Sequence, residues 1–132
     1  MVGRGDPGTD INGACENNCL IDSLRQCLGI VADCRQVRRD LINEFARATG
    51  DRARVGVANY LDVEAHWRSI LRSLFRHNVS GLPATCNVDD FCVIALSANN
   101  VGHGSVEGTM GAPRTLVVLN HSDQHFDPCL PL

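Results

Sequence analysis

The first half of the chain has the hydrophobic pattern of helices. Three segments repeat apolar residues at spacings of three and four, which is typical of a helix with one buried face. The first predicted helix begins at Asn17 or Asn18, because an asparagine side chain can accept an unpaired backbone N–H at a helix N-terminus. Gly29 ends it. Its predicted inward positions are Leu20, Leu24, Cys27, Leu28 and Val31.

The second and third predicted helices have their own start and stop signals. Asp33 and Gln36 form a capping-box pattern before the second helix, and Gly50 suits the left-handed position after it. The third helix starts near Asp62 and ends before Gly81. The predicted inward faces are Cys34, Val37, Leu41, Phe45 and Ala48 on the second helix, with Arg35, Arg38 and Arg39 elsewhere, and Val63, Trp67, Ile70, Leu71, Leu74 and Phe75 on the third.

The pattern changes in the last third of the chain. Residues 91–98 fit either a helix capped by Asp89 or a buried strand. Residues 99–113 are rich in glycine and poor in apolar side chains, which predicts a loop.

Two strands and a turn are predicted after this loop. Residues 115–120 have strong β propensity, residues 121–124 form a turn, and residues 125–127 begin a returning strand that Pro128 ends. The predicted fold class is therefore α+β, with N-terminal helices packed on a small, mostly antiparallel C-terminal sheet.

The chain has 132 residues, which suits one domain. Residues 1–14 hold four glycines and a proline and are predicted to be a flexible lead-in, and residues 15–132 form the domain. No apolar run approaches the roughly 20 residues of a membrane helix, and the N-terminus lacks the apolar core of a signal peptide. The net charge of −3 argues against a nucleic-acid partner. We therefore expect neither a membrane nor a nucleic acid as partner.

Two features of the composition bear on the compartment. All twelve basic residues are arginine, which either reflects the codon bias of a GC-rich genome or suits a protein that works in a cytosol where lysines receive ubiquitin. The seven cysteines are odd in number, and several lie on predicted apolar helix faces, where a free thiol packs as a small hydrophobe. We expect reduced thiols and a cytosolic setting.

Cys19 and His125 are the candidate reactive residues. Cys19 lies in the first turn of the first predicted helix, where unpaired N–H groups and the positive dipole end favour a thiolate and can bind an oxyanion. His125 lies far downstream on a predicted strand, where it could act as a general base. Asp127 shares its strand face and could orient the imidazole. The order Cys, His, Asp, with the cysteine early on a helix, is the papain-like arrangement.

These residues resemble a known family. Residues 16–24 (Glu-Asn-Asn-Cys-Leu-Ile-Asp-Ser-Leu) resemble the signature of ovarian-tumour (OTU) cysteine proteases, in which Asp-Gly-Asn-Cys precedes an aromatic or aliphatic residue and a short amphipathic helix. Residues 116–127, which end in His-Phe-Asp, are similar to that family's final strands. The helices between these two motifs agree with the family in type and order.

The resemblance implies a papain-like, OTU-like fold and deubiquitinase activity. Cys19 would be the nucleophile, His125 the general base and then acid, and Asp127 the orienting carboxylate. The oxyanion hole would use backbone N–H groups of Cys19 and of the loop before it, Glu16, Asn17 and Asn18. The partner would be ubiquitin or a ubiquitin-conjugated protein, with no metal and no organic cofactor. Two departures are the family's Asp-Gly pair, which is Glu16-Asn17 here, and a short chain with little room for a ubiquitin-binding arm.

Together with the missing lysines and the absent signal peptide, the resemblance suggests a bacterial effector or toxin domain that acts in a host cytoplasm, or a cytoplasmic enzyme. Three alternatives stay open. The same three residues would serve a glutamine deamidase or acyltransferase toxin, because the acyl-enzyme step is shared. A non-catalytic interaction module would use Trp67 and Phe75 as anchors. A zinc site would use Cys15, Cys19, His121 and His125, but four residues along one strand span about 13 Å, too far for one metal unless a turn lies between the two histidines.

Overall fold

The computed structural model describes residues 1–8, 17–49, 61–80, 87–100, 102–122 and 124–131. Over these ranges the chain is α+β, with three α-helices, one short 3₁₀ helix and a four-stranded sheet. In chain order the elements are α1 (Cys19–Leu28), α2 (Cys34–Thr49), α3 (Val63–His77), the 3₁₀ helix (Val88–Asp90), β1 (Phe91–Ser97), β2 (Gly104–Gly108), β3 (Arg114–His121) and β4 (His125–Cys129).

The strands lie in the order β2-β1-β3-β4. β1 pairs antiparallel with β2 and parallel with β3, and β3 pairs antiparallel with β4. The sheet is therefore mixed, and two of its three pairings within the described chain are antiparallel. The predicted helices-then-strands order and the α+β class are confirmed at this level.

All three predicted helices are present. α1 follows Asn18 and ends at Gly29, whose φ of 68° is the left-handed conformation expected after a helix. The Asp62 side chain caps α3 by accepting the Ala65 N–H at 2.7 Å. No helix in the described ranges has the length and apolar character needed to cross a membrane.

Two of the predicted inward positions are exposed. Val31 is 60% exposed, because it lies beyond Gly29 and no longer follows the phase of α1. Ala48 is exposed in the last turn of α2, past the buried positions Val37 and Leu41. Gly50 lies outside the described residues.

The pattern of residues 91–98 fitted either a helix or a strand, and this segment contains β1. The prediction of a loop over residues 99–113 is wrong, because β2 lies within it. β2 is an edge strand, and four of its five residues are exposed. Its pairing with β1 depends on backbone hydrogen bonds, which leave no hydrophobic signature in the sequence.

The predicted strand at residues 115–120 is confirmed as β3, whereas the prediction that Pro128 ends the last strand is wrong. β4 continues to Cys129, and Pro128 pairs with Val118 of β3. The Pro128 carbonyl accepts the Gly3 N–H at 2.8 Å on the side away from β3. Its nitrogen faces that same side, so the missing N–H removes no bond to β3.

The helices cover one face of the sheet, and the buried core lies between them. Strand residues on this face include Phe91, Val93, Val118 and Phe126. On β1 and β2 the opposite face carries Leu96 and Val106, which are 44% and 47% exposed. Since side chains alternate along a strand, His125 and Asp127 flank the buried Phe126 and point to this second face.

Residues 1–8 of the predicted flexible lead-in lie between β4 and α1, and residues 9–14 are outside the described ranges. Val2 forms an antiparallel bridge with Cys129, and the Asp6 N–H donates to the Asp22 carboxylate of α1 at 2.8 Å. Gly5 is the tightest point of this segment. A Cβ added to it would lie 2.1 Å from the Phe126 carbonyl oxygen and 2.9 Å from that of Cys19.

We expect Gly5→Ala to lower the free energy of unfolding by about 1–3 kcal/mol, because the new methyl group overlaps backbone atoms on both sides. Urea unfolding followed by circular dichroism measures this. Gly29→Asn is the control, since asparagine accepts the left-handed conformation and a Cβ there meets no atom within 4 Å. Equal stability of the Gly5→Ala and unsubstituted proteins would contradict the close packing.

Asp40 of α2 joins α3 through three side chains. It accepts hydrogen bonds from Ser73 at 2.6 Å, His77 at 2.9 Å and Arg76 at 3.1 Å. Burial acts to raise the pKa of Asp40, but these three partners outweigh it and hold the pKa below its ordinary value of 3.8.

A depressed pKa in the folded protein stabilises the fold above the unfolded-state pKa, and this stabilisation is lost as the pH falls through the folded-state pKa. We therefore expect the free energy of unfolding to decline below about pH 5, and to decline less steeply in Asp40→Asn. Chemical denaturation at a series of pH values measures the slope. Asp89→Asn, which removes an exposed carboxylate paired with Arg68, should keep the original slope. An unchanged slope in Asp40→Asn would rule out this contribution.

Candidate active site

Cys19 is the first residue of α1 and is 5% exposed. It therefore lies at the positive end of the helix dipole, as the sequence predicted. The residue before it, Asn18, occupies the N-cap position and its carbonyl accepts the Asp22 N–H at 2.8 Å. Its side chain makes no capping hydrogen bond, which differs from the expected role of asparagine at this position.

The loop before Cys19 has a left-handed residue at Asn17, with φ of 56°. Apart from glycine, asparagine is among the residues that enter this region most readily. The OTU signature has glycine at the matching position, and glycine adopts this conformation without strain. Asn17 is therefore compatible with the loop conformation that a glycine would allow. Glu16, the first residue of the predicted oxyanion loop, lies outside the described residues.

Arg38 of α2 binds this loop through two hydrogen bonds. Its side chain is buried among the helices, its Nε donates to the Asn18 Oδ1, and its Nη2 donates to the Asn17 carbonyl at 2.8 Å. Because of the first of these bonds, the Asn18 amide faces α2 and not the N–H groups of α1. Hydrophobic spacing placed Arg38 outside the buried face of its helix, and nothing in that pattern marks a buried arginine.

His125, Asp127 and His121 form one hydrogen-bonded cluster. The His125 Nε2 lies 2.7 Å from the Asp127 Oδ1, and the His121 Nε2 lies 2.9 Å from the Asp127 Oδ2. Both imidazoles are more than one third exposed, whereas the carboxylate is 15% exposed. The turn that would bring His121 and His125 together is present, because the two are cross-strand partners with ring centroids 5.5 Å apart.

The Asp127 carboxylate is held on three sides. Besides the two imidazoles, the Gly5 N–H donates to its Oδ1 at 2.9 Å. Burial acts to raise the pKa of Asp127, but the bonds from Gly5, His125 and His121 outweigh it and keep the pKa below its ordinary value. The group is therefore ionised at neutral pH and can orient an imidazole that donates to it.

α1 packs against β3 and β4 and runs in the same direction as β4. Ser23 donates its hydroxyl hydrogen to the Phe126 carbonyl at 3.0 Å. One turn later the Cys27 thiol contacts the carbonyl of Val117, which is the β3 partner of Cys129. Cys19 precedes Ser23 by one turn, so the start of α1 and the start of β4 lie at the same end of the sheet. The structure brings His125 and Asp127 into a hydrogen bond, whereas Cys19 packs into the core on the helix-covered face.

This arrangement defines the proton chemistry available to His125. When its Nε2 donates to Asp127, the neutral ring has its lone pair on Nδ1. That nitrogen is the atom able to accept a proton. A histidine oriented in this way by a carboxylate has the form of a general base.

The other described thiols differ from Cys19 in position. Cys27 and Cys34 are half-buried, and burial raises the pKa of each thiol to about 11. Cys34 also begins a helix, α2, but no oxyanion loop is proposed before it, and both thiols are protonated at neutral pH. Cys15 and Cys86 lie outside the described residues.

No group of three or more His, Cys, Asp or Glu side chains in the described ranges is arranged to hold a metal ion. A second Ser-His-Asp cluster exists between α2 and α3, but there Ser73 and His77 both bind the same oxygen of Asp40. The carboxylate lies between the hydroxyl and the imidazole, so this cluster does not have the order of a catalytic triad.

Comparisons with protein-family models, with curated proteins and with solved structures found no match. A function for this chain is therefore inferred from its own residues and their geometry.

Proposed function

We propose that the chain is a cysteine-dependent hydrolase similar to OTU deubiquitinases. The observation that carries this proposal is the hydrogen-bonded pair of His125 and Asp127 on β4, next to the helix that begins at Cys19. A thiol at a helix start, an imidazole and an orienting carboxylate are the three parts of a papain-like site. The resemblance to the OTU signature adds the substrate, a bond to the C-terminal glycine of ubiquitin.

The reaction has two stages. The Cys19 thiolate attacks the carbonyl carbon of the glycine, and N–H groups at the start of α1 stabilise the resulting oxyanion. His125, protonated by the thiol, passes the proton to the departing lysine amine as the C–N bond breaks. A water molecule then attacks the thioester while His125 accepts its proton, and the thiolate leaves. Asp127 keeps the imidazole in the required tautomer throughout.

The proposed setting is a cytosol that contains ubiquitin, either the host cytosol of a bacterial effector or toxin, or the cytoplasm of the producing cell. A chain without lysine offers no side-chain amine for ubiquitin attachment, which supports such a setting. A papain-like deamidase would share the first stage of this reaction, so the tests below include an outcome that identifies it.

We expect Cys19→Ala to abolish covalent labelling by a ubiquitin probe with a C-terminal electrophile, because the substitution removes the nucleophile. Intact-protein mass spectrometry measures the adduct. Cys27→Ala is the matched control on the same helix, and it should label at the original rate because burial keeps that thiol protonated. Labelling that persists in Cys19→Ala, or is lost in Cys27→Ala, would refute the assignment of the nucleophile.

Mass spectrometry of ubiquitin chains incubated with the unsubstituted protein then separates the two reactions. Shorter chains indicate peptidase action. A gain of about one dalton on intact ubiquitin indicates that a glutamine has been hydrolysed, as the shared acyl-enzyme chemistry allows. If neither change occurs, ubiquitin is not the substrate.

We expect His125→Ala to lower kcat/KM by roughly 10²–10⁴-fold, the usual contribution of a general base. Asp127→Ala should cost less, since it acts through the histidine. Cleavage of a fluorogenic ubiquitin substrate measures both. His77→Ala, which removes an imidazole bound to a different carboxylate, should keep full activity. A larger loss in Asp127→Ala than in His125→Ala would contradict these roles.

A further inference from the structure

Asp127 binds one more imidazole than a Cys-His-Asp site requires. Its Oδ1 accepts from the Gly5 N–H and from His125, and its Oδ2 faces His121 on β3. His121 is not part of the Cys-His-Asp arrangement, and the sequence predicts it only as a possible zinc ligand. Its contact with the carboxylate therefore has no part in the reaction described so far.

His121 restricts the orientation of the carboxylate. The terminal torsion of an aspartate is broad and roughly two-fold, so a carboxylate held through one oxygen alone can rotate. A donor on Oδ2 removes this freedom. With Oδ2 bonded to His121, Oδ1 stays in the plane that accepts from the His125 Nε2, and the Nδ1 of His125 keeps its lone pair.

We propose that His121 is a positioning residue, which fixes the Asp127 carboxylate and through it the tautomer of His125. This inference rests on the proposed hydrolase function. His121 acts through the carboxylate and is not the base. The hydrogen bond between its strand β3 and α1 involves Cys27, two turns after Cys19, whereas that of β4 involves Ser23, one turn after Cys19. The neighbouring residue of His125, Phe126, is the one that contacts α1 through Ser23.

The polar groups of α1 and of the N-terminal segment named below bond to other atoms, and His121 is the residue that bonds the Asp127 Oδ2. On α1, Asp22 is bonded to Arg25 and Gln26 and to the Asp6 N–H. The N-terminal segment supplies the Gly5 N–H to the other oxygen, Oδ1.

His121→Leu and His121→Gln test the proposal. Leucine removes the donor, and we expect kcat to fall about tenfold with KM unchanged, as for loss of a hydrogen bond to a charged group. Glutamine places an amide N–H near the position of Nε2 but cannot act as a base, and it should restore kcat to within about threefold. In the Asp127→Ala background, His121→Leu should have no further effect, because both substitutions break the same contact.

Three results would overturn the proposal. A loss in His121→Gln as large as in His125→Ala would mean that His121 is itself the base. Full activity of His121→Leu would mean that the carboxylate needs no second imidazole. Additive losses in the double variant would mean that His121 acts by another route.

A measurement without substrate separates failure of this inference from failure of the proposed function. Nitrogen-15 NMR of the histidine side chains reports which ring nitrogen is protonated. We expect the neutral His125 ring to be protonated on Nε2 in the unsubstituted protein and in His121→Gln, and to populate both tautomers in His121→Leu. If the protein cleaves no ubiquitin substrate, the proposed function fails, while a tautomer unchanged in His121→Leu still refutes the positioning role.

Discussion

The packing of α1 against β4 is the contact on which the candidate site depends. It joins residues more than one hundred positions apart through the bond between Ser23 and the Phe126 carbonyl. Gly5 passes between the two elements, where no side chain larger than hydrogen fits. The close packing at Gly5 aligns the start of α1 with the start of β4. The N–H of the same glycine binds Asp127, so the segment that closes the packing also takes part in the cluster.

The helices were predictable from the sequence because the apolar residues of their buried faces recur every three or four positions, as between Val63 and Leu74. β2 was not, because an exposed edge strand is held by backbone bonds to β1 and has no buried face that would give a hydrophobic repeat. Cys19, His125 and Asp127 could be selected from residue type, order and resemblance. The buried position of Arg38 could not, because its partner Asn18 lies on another element and no spacing rule links them.

The two histidines show how a distance argument depends on topology. Along one continuous strand His121 and His125 would be far apart, yet the turn between β3 and β4 places them opposite each other. Ser122 in this turn has a φ of 57°, a left-handed conformation that serine seldom adopts and that its residue type does not predict. The shared carboxylate then follows from strand alternation, because Asp127 lies on the same face as His125. A pattern considered as a possible metal site is thus, in the folded chain, a carboxylate between two imidazoles.

The loop before Cys19 is where the departure from the OTU signature matters most, and one backbone conformation and one contact bear on it. Asn17 has the left-handed backbone that glycine would provide, and Arg38 fixes its carbonyl from α2. A loop that loses a glycine has fewer accessible conformations when unfolded, so the substitution costs little where the residue tolerates this region. An oxyanion hole requires N–H groups held in place before the reaction begins, because reorganisation during the reaction would cancel their benefit. A buried arginine bound to this loop restricts its movement, as the proposed oxyanion hole would require.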